Sequence, residues 1–227
     1  NTVMEYASLG SGNDTVTVNE ADNMFDGGNG RDTLIGGEGN DTLLGGTDVG
    51  DLSDALYAGA GNDSLDGGYG NDELRGDAGN DTILGGFGAD TVIGGTGDDV
   101  MTGQAWSDLM FGGDGDDFIN GGFGSDRVNG GAGADRFYHL GIADHGSDWI
   151  QDYEAGDGDV LVFGDSTASV DDFQVNFAET ANAGIAGIEE AFVIYRPTGQ
   201  IVWALVDGGD QDDITLRIAG VDYDLLA

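Results

Sequence analysis

From Val16 to Phe137 an apolar side chain returns every ninth residue. The row is Val16, Phe25, Leu34, Leu43, Leu56, Leu65, Leu74, Ile83, Val92, Met101, Met110, Ile119, Val128 and Phe137, broken only by one thirteen-residue step, Leu43 to Leu56. A nine-residue period at this regularity is an internal repeat, and stacked repeats build solenoids. The apolar residue sits in the middle of three residues, as in Thr33-Leu34-Ile35 and Thr91-Val92-Ile93. These read as short extended segments whose middle side chain points inward. With two repeats per coil, residues eighteen apart stack at strand spacing, roughly 4.8 Å, and about seven coils make a rod on the order of 33 Å long.

The other six positions are equally regular. Gly27–Ile35 reads GGNGRDTLI, Gly36–Leu44 GGEGNDTLL, Gly67–Arg75 GGYGNDELR and Gly85–Ile93 GGFGADTVI, and the pattern returns at Gly94, Gly112, Gly121 and Gly130. Glycine takes positions one, two and four. At positions one and four the intact turns present Gly27, Gly30, Gly36, Gly39, Gly67, Gly70, Gly85, Gly88, Gly94, Gly97, Gly112, Gly115, Gly121, Gly124, Gly130 and Gly133. Such glycines permit a tight turn with positive backbone angles and let carbonyls approach an ion. Position six holds Asp14, Asn23, Asp32, Asp41, Asp54, Asp63, Asp72, Asp81, Asp90, Asp99, Asp108, Asp117, Asp126, Asp135 and Asp144. Aspartate there supplies a hard oxygen ligand, which suits calcium.

Composition sharpens the picture. The chain has 227 residues, 44 acidic against 6 basic, 45 glycines, one proline, no cysteine and a formal charge of −38. That balance alone resembles a disordered chain. A single narrow file of apolar residues is too thin to overcome backbone entropy unaided. Aspartates stacked about 4.8 Å apart repel by roughly 1 kcal/mol per pair in bulk water and several times that near a protein surface. A cation between coils reverses that sign, so binding free energy becomes folding free energy. Nucleic acid is excluded as a partner for want of basic patches. No apolar run is long enough to span a bilayer. There is no N-terminal signal peptide, and a start at Asn1 reads as a fragment of a longer protein.

These residues resemble the hemolysin-type calcium-binding repeat, the RTX family, over about residues 9–144. The resemblance implies an all-β fold, a right-handed parallel β-roll with several calcium ions between turns stacked on the same side. One stack would be Asp14, Asp32, Asp54, Asp72, Asp90, Asp108 and Asp126, the other Asn23, Asp41, Asp63, Asp81, Asp99, Asp117 and Asp135. Turn carbonyls such as those of Gly67, Tyr69, Gly85 and Phe87 would complete each shell. Three turns depart from the pattern: Val18–Asp26 lacks its glycines, Gly45–Tyr57 carries the insertion, and Gly103–Phe111 has Trp106 at position four.

After the repeats, Asp148–Phe163 looks like the closing segment that follows the roll in secreted family members. From about Phe173 the pattern turns to longer apolar segments. Ala191–Tyr195 and Ile201–Val206 read as a hairpin through Pro197-Thr198-Gly199, Ile214–Ile218 as a third strand, and Ala181–Glu190 as a loop or short helix. The expected organisation is thus a lead-in over residues 1–8, the roll over 9–144 and a β-rich cap over 145–227. The terminal Asp222–Ala227 resembles an uncleaved type I secretion signal. That implies partners in the secretion machinery and an upstream domain, and an extracellular location outside a Gram-negative bacterium.

The asparagines of Asn-Asp-Thr and Asn-Asp-Ser at Asn13, Asn40, Asn62 and Asn80 match a glycosylation sequon but arise from the repeat itself. Tyr69, Phe87 and Phe123 fall on one side of the roll as an aromatic ridge, read as a docking surface or as a face covered by the cap or a neighbouring domain. His139 and His145 lie in no zinc-protease pattern, and no GxSxG or P-loop is present. The expected function is a non-enzymatic calcium-binding module that folds after secretion. The alternatives are a piece of a secreted RTX enzyme (protease, lipase or alginate epimerase) and a surface adhesin or S-layer component.

Overall fold

The computed structural model describes residues 5–18, 22–143, 145–181 and 183–227. It is an all-β parallel solenoid of about eight turns. Successive strands alternate between two sheets, each of eleven strands among the described residues. Thr91–Thr96, for example, pairs in parallel with Glu73–Ala78 on one side and Leu109–Asp114 on the other. The register is the one the repeat dictates, with Val92 opposite Leu74 and Met110. The ninth-residue apolar row is the core: Leu34, Leu43, Leu56, Leu74, Ile83, Val92, Met101 and Met110 are fully buried.

The strands are longer than the three-residue segments expected. They run on through positions one to three of the next repeat, so that Gly95 and Thr96 still pair with Gly113 and Asp114. Glycine makes this possible. Within the described repeats positive φ is confined to positions two and four, as at Gly95 (124°) and Gly97 (120°). At position one glycine stands without a positive φ. Where positions two and four are not glycine, Asp77, Gln104 and Trp106 still adopt φ of 70°, 78° and 93°.

The parallel ladder does not break at residue 144. Asp148–Ile150 pairs with Arg127–Ala132, and Val160–Phe163 pairs with Arg136–His139. Gln200–Leu205 and Thr215–Ile218 then add one parallel strand to each sheet. Beyond these the pairing turns antiparallel: Glu190–Tyr195 and Phe173–Ala178 finish one sheet and Val221–Asp224 the other. The hairpin and the third strand therefore stand as expected. The segment between Ala181 and Glu190 forms turns without a helix among its described residues. An aromatic cluster fills this end, with Phe163 4.9 Å from Phe173 and 4.8 Å from Tyr195, beside the buried Trp203. Among the described residues no helix is long and apolar enough to cross a membrane.

Candidate metal centres

Each aspartate at position six is fixed by the coil that precedes it. The backbone N–H of Asp54 donates to Asp72 Oδ1 at 2.8 Å, that of Asp72 to Asp90 at 2.8 Å, and that of Asp90 to Asp108 at 2.9 Å. The file extends from Asp14 through Asp32 to Asp126. The second file runs from Asn23 through Asp41, Asp63, Asp81, Asp99 and Asp117 to Asp135 in the same way. The structure thus brings every expected aspartate into the two expected stacks.

One carboxylate oxygen of each is left over. Among the described residues, Oδ2 of Asp14, Asp32, Asp41, Asp54, Asp63, Asp72, Asp81, Asp90, Asp99, Asp108, Asp117, Asp126 and Asp135 is buried with no hydrogen-bond partner. What faces it is another acceptor. A Cβ placed on Gly94 would lie 2.3 Å from Asp99 Oδ2 and 2.7 Å from the carbonyl oxygen of Gly112. On Gly112 it would lie 2.2 Å from Asp117 Oδ2 and 2.3 Å from the Gly130 carbonyl. The same pairing recurs at Gly27, Gly36, Gly67 and Gly85. At the intact turns position one is therefore glycine because a carboxylate and a carbonyl crowd the place its Cβ would take. Two oxygens with no donor between them form a cradle for a cation, since a buried acceptor left unpaired is costly. The donors are all hard oxygens, the set that calcium takes at about 2.3–2.6 Å. Among the described residues no three acidic or imidazole side chains converge on one point, so carbonyls must supply much of any shell. The expected Gly67 and Gly85 carbonyls face Asp54 and Asp72. The Phe87 carbonyl accepts the Gly70 N–H at 2.9 Å and is part of the ladder.

Burial dominates the electrostatics. It pushes Asp72 up to about 8, against the pull of the Asp54 N–H and with the charges of Asp90, Asp54 and Asp51 adding to it. Asp54, Asp63, Asp108 and Asp117 are raised to about 7 in the same way. Asp90, Asp99 and Asp135 reach about 6, again chiefly through burial. Carboxylates so placed bind protons or cations avidly at neutral pH.

Asp54, expected in the first stack although its turn carries the insertion, is a full member of that file. Several residues were not legible in advance. Ala58 stands at position one of its repeat, and its carbonyl faces Asp41 across Gly36. Asp144 lies outside the described residues; the file passes instead from Asp126 to Asp148, which accepts the Asp126 N–H at 3.4 Å. The other file ends on Asp159, which accepts the Asp135 N–H at 2.9 Å. The insertions before Asp148 and Asp159 break the nine-residue count and hide both. The asparagines of the sequon-like triplets form an external ladder, with the Asn62 N–H on Asn40 Oδ1 at 2.8 Å and the Asn80 N–H on Asn62 Oδ1 at 3.0 Å. This gives their recurrence a structural cause.

On the flank, Tyr69 and Phe87 stack with centroids 4.7 Å apart. Phe123 continues the row and packs against His145 at 4.5 Å. Phe87, Phe123 and Trp106 remain exposed, so the cap does not cover this ridge. His139 and His145 are buried at the junction with the cap, 4.7 Å apart, and burial lowers both, His139 to about 4.

Comparison with curated proteins returns no match. A scan against protein families matches the RTX calcium-binding nonapeptide repeat (4 copies) at residues 8–43, 17–50, 48–83, 75–105 and 107–138. These stretches cover more than half of the chain and coincide with the coils that carry the aspartate files, and the chain therefore belongs to the RTX calcium-binding repeat family.

Proposed function

We propose that this segment is a calcium-gated folding module of a larger secreted protein, and that it carries no catalysis of its own. The observation behind this reading is the pair of aspartate files whose inner oxygens are buried without donors. In calcium-poor cytosol those carboxylates oppose the close stacking of coils, and the roll stays extended, as passage through a secretion channel requires. When bound, calcium supplies the positive charge that the cradles lack and joins successive coils. Sites of extracellular-module affinity, about 10⁻⁴ to 10⁻³ M, fill only outside the cell. Repeats of this family are typical of secreted proteins of Gram-negative bacteria, which agrees with export by the type I route. Folding of this module then stabilises the larger protein that carries it.

Far-ultraviolet circular dichroism during a calcium titration tests the proposal, with magnesium as control. A cooperative coil-to-β transition at sub-millimolar to millimolar calcium, absent with magnesium, is the expected result. A β signal that excess chelator leaves undiminished would refute the gate.

A further inference from the structure

The insertion in the third coil is a built turn rather than slack chain. The Asp51 N–H donates to the Asp48 carbonyl at 2.9 Å, closing a turn over Val49 and Gly50. Asn29 Nδ2 of the preceding coil donates to Asp48 Oδ2 at 2.9 Å. Asp51 Oδ1 accepts the N–H groups of Gly30 at 2.8 Å and Leu52 at 2.9 Å. In regular coils the position-four N–H goes to a backbone carbonyl of the next coil, as Gly97 does to Asp114 at 2.7 Å. The insertion thus replaces a neutral carbonyl by a carboxylate that has a second oxygen to spare.

That second oxygen is aimed at a cradle. Asp51 is only 9% exposed, and its Oδ2 is buried with no hydrogen-bond partner. A Cβ on Gly46 would lie 1.8 Å from Asp51 Oδ2 and 1.9 Å from the Gly28 carbonyl oxygen. On the neighbouring Gly45 it would lie 2.6 Å from Asp54 Oδ2 and 2.4 Å from the Gly67 carbonyl. The charge of Asp51 is felt by Asp32, Asp54 and Asp72. Arg31 acts on Asp54 through its field and lies exposed.

We propose that Asp51 is an additional cation ligand which, with the Gly28 carbonyl and beside the neighbouring cradle of Asp54 and the Gly67 carbonyl, makes the turn at the insertion the tightest cation-binding turn of the roll. Affinity at oxygen sites rises with the number of charged ligands, and this turn has one carboxylate more than its neighbours. The site takes a hard divalent cation such as calcium and, by the same charge argument, a lanthanide more strongly still. The inference rests on the calcium-binding reading above.

Terbium is the direct probe. Tyr69 and Trp106 line the same surface depression as Asp51, so terbium bound there is sensitised by exciting these rings. In the whole chain, the first equivalent of terbium should give a tight luminescence phase, and Asp51→Asn should weaken that phase about tenfold. Superimposable titrations of the two proteins would overturn the proposal. Should Asp51→Asn not fold, anomalous diffraction from the unaltered protein at substoichiometric terbium decides: the strongest peak must lie beside Asp51 Oδ2, and a strongest peak at a regular turn refutes it. Cation-induced folding of the unaltered protein with an unchanged Asp51→Asn titration sinks this inference alone. Absence of any cation-induced folding sinks the general reading with it.

Discussion

Asp72 in the roll and Asp159 at the start of the cap are both buried aspartates, and their surroundings treat them differently. Asp72 Oδ1 accepts the Asp54 N–H while Oδ2 has no partner. Asp159 accepts the Asp135 N–H on one oxygen and the Glu154 N–H on the other, both at 2.9 Å. Nearby Asp152 is likewise satisfied, by the N–H groups of Gly130 and Gly131. The cores differ in parallel. The roll buries one apolar side chain per repeat, mostly aliphatic, whereas the cap packs Trp203, Phe163, Phe173 and Tyr195 against one another. A buried carboxylate is tolerable when the chain itself brings the donors. The cap does so; the roll leaves one oxygen per repeat for something outside the chain.

The largest effects should come from the two cores. Trp203→Ala should cost about 3–5 kcal/mol, measured by urea unfolding followed at the cap, with and without calcium alike. Ile83→Ala should cost about 2–5 kcal/mol in saturating calcium and leave the metal-free chain unchanged. A calcium-dependent Trp203→Ala effect would erase the distinction between the regions.

Next comes pH. In the metal-free fold Asp54, Asp63, Asp72, Asp108 and Asp117 are raised from the usual 3.8 to between about 7 and about 8. The folded state therefore binds more protons than the unfolded one across that interval, and its stability falls as pH rises through it. Acidifying metal-free protein from pH 8 to pH 5 should recover β signal from the roll. In calcium the direction reverses, because protons compete for the same oxygens. Loss of β signal on acidifying the metal-free chain would contradict the sign.

Smaller still is the surface. Phe87→Ser removes a ring that is 49% exposed and should leave the calcium midpoint nearly unchanged. Arg217 binds Asp222 through two hydrogen bonds of 2.6 and 2.8 Å across an exposed strand pair, and Arg217→Gln should cost less than about 1 kcal/mol, seen as a small drop in thermal midpoint.

The roll was legible because its constraints are local and periodic. One apolar and one acidic residue per nine fix the strand, the inward face and the stack together, so Leu74, Asp72 and Gly67 could be placed by counting. Where the count fails, so does the reading. Asp51 and Asp148 lie beside or beyond insertions, and only their hydrogen bonds across coils reveal their place. Trp106 departs from the glycine rule yet adopts the same positive φ, a tertiary constraint invisible to composition. The cap has no repeat, so its hairpin was readable from turn residues while its parallel docking onto Asp148–Ile150 and Val160–Phe163 was not.

Hydrogen–deuterium exchange read by mass spectrometry, in calcium and in chelator, tests the central contrast most directly. The account predicts that residues 32–126 are protected only in calcium, while peptides spanning Phe163, Tyr195 and Trp203 stay protected in both. Protection of the roll in chelator, or loss of roll and cap together, would contradict it.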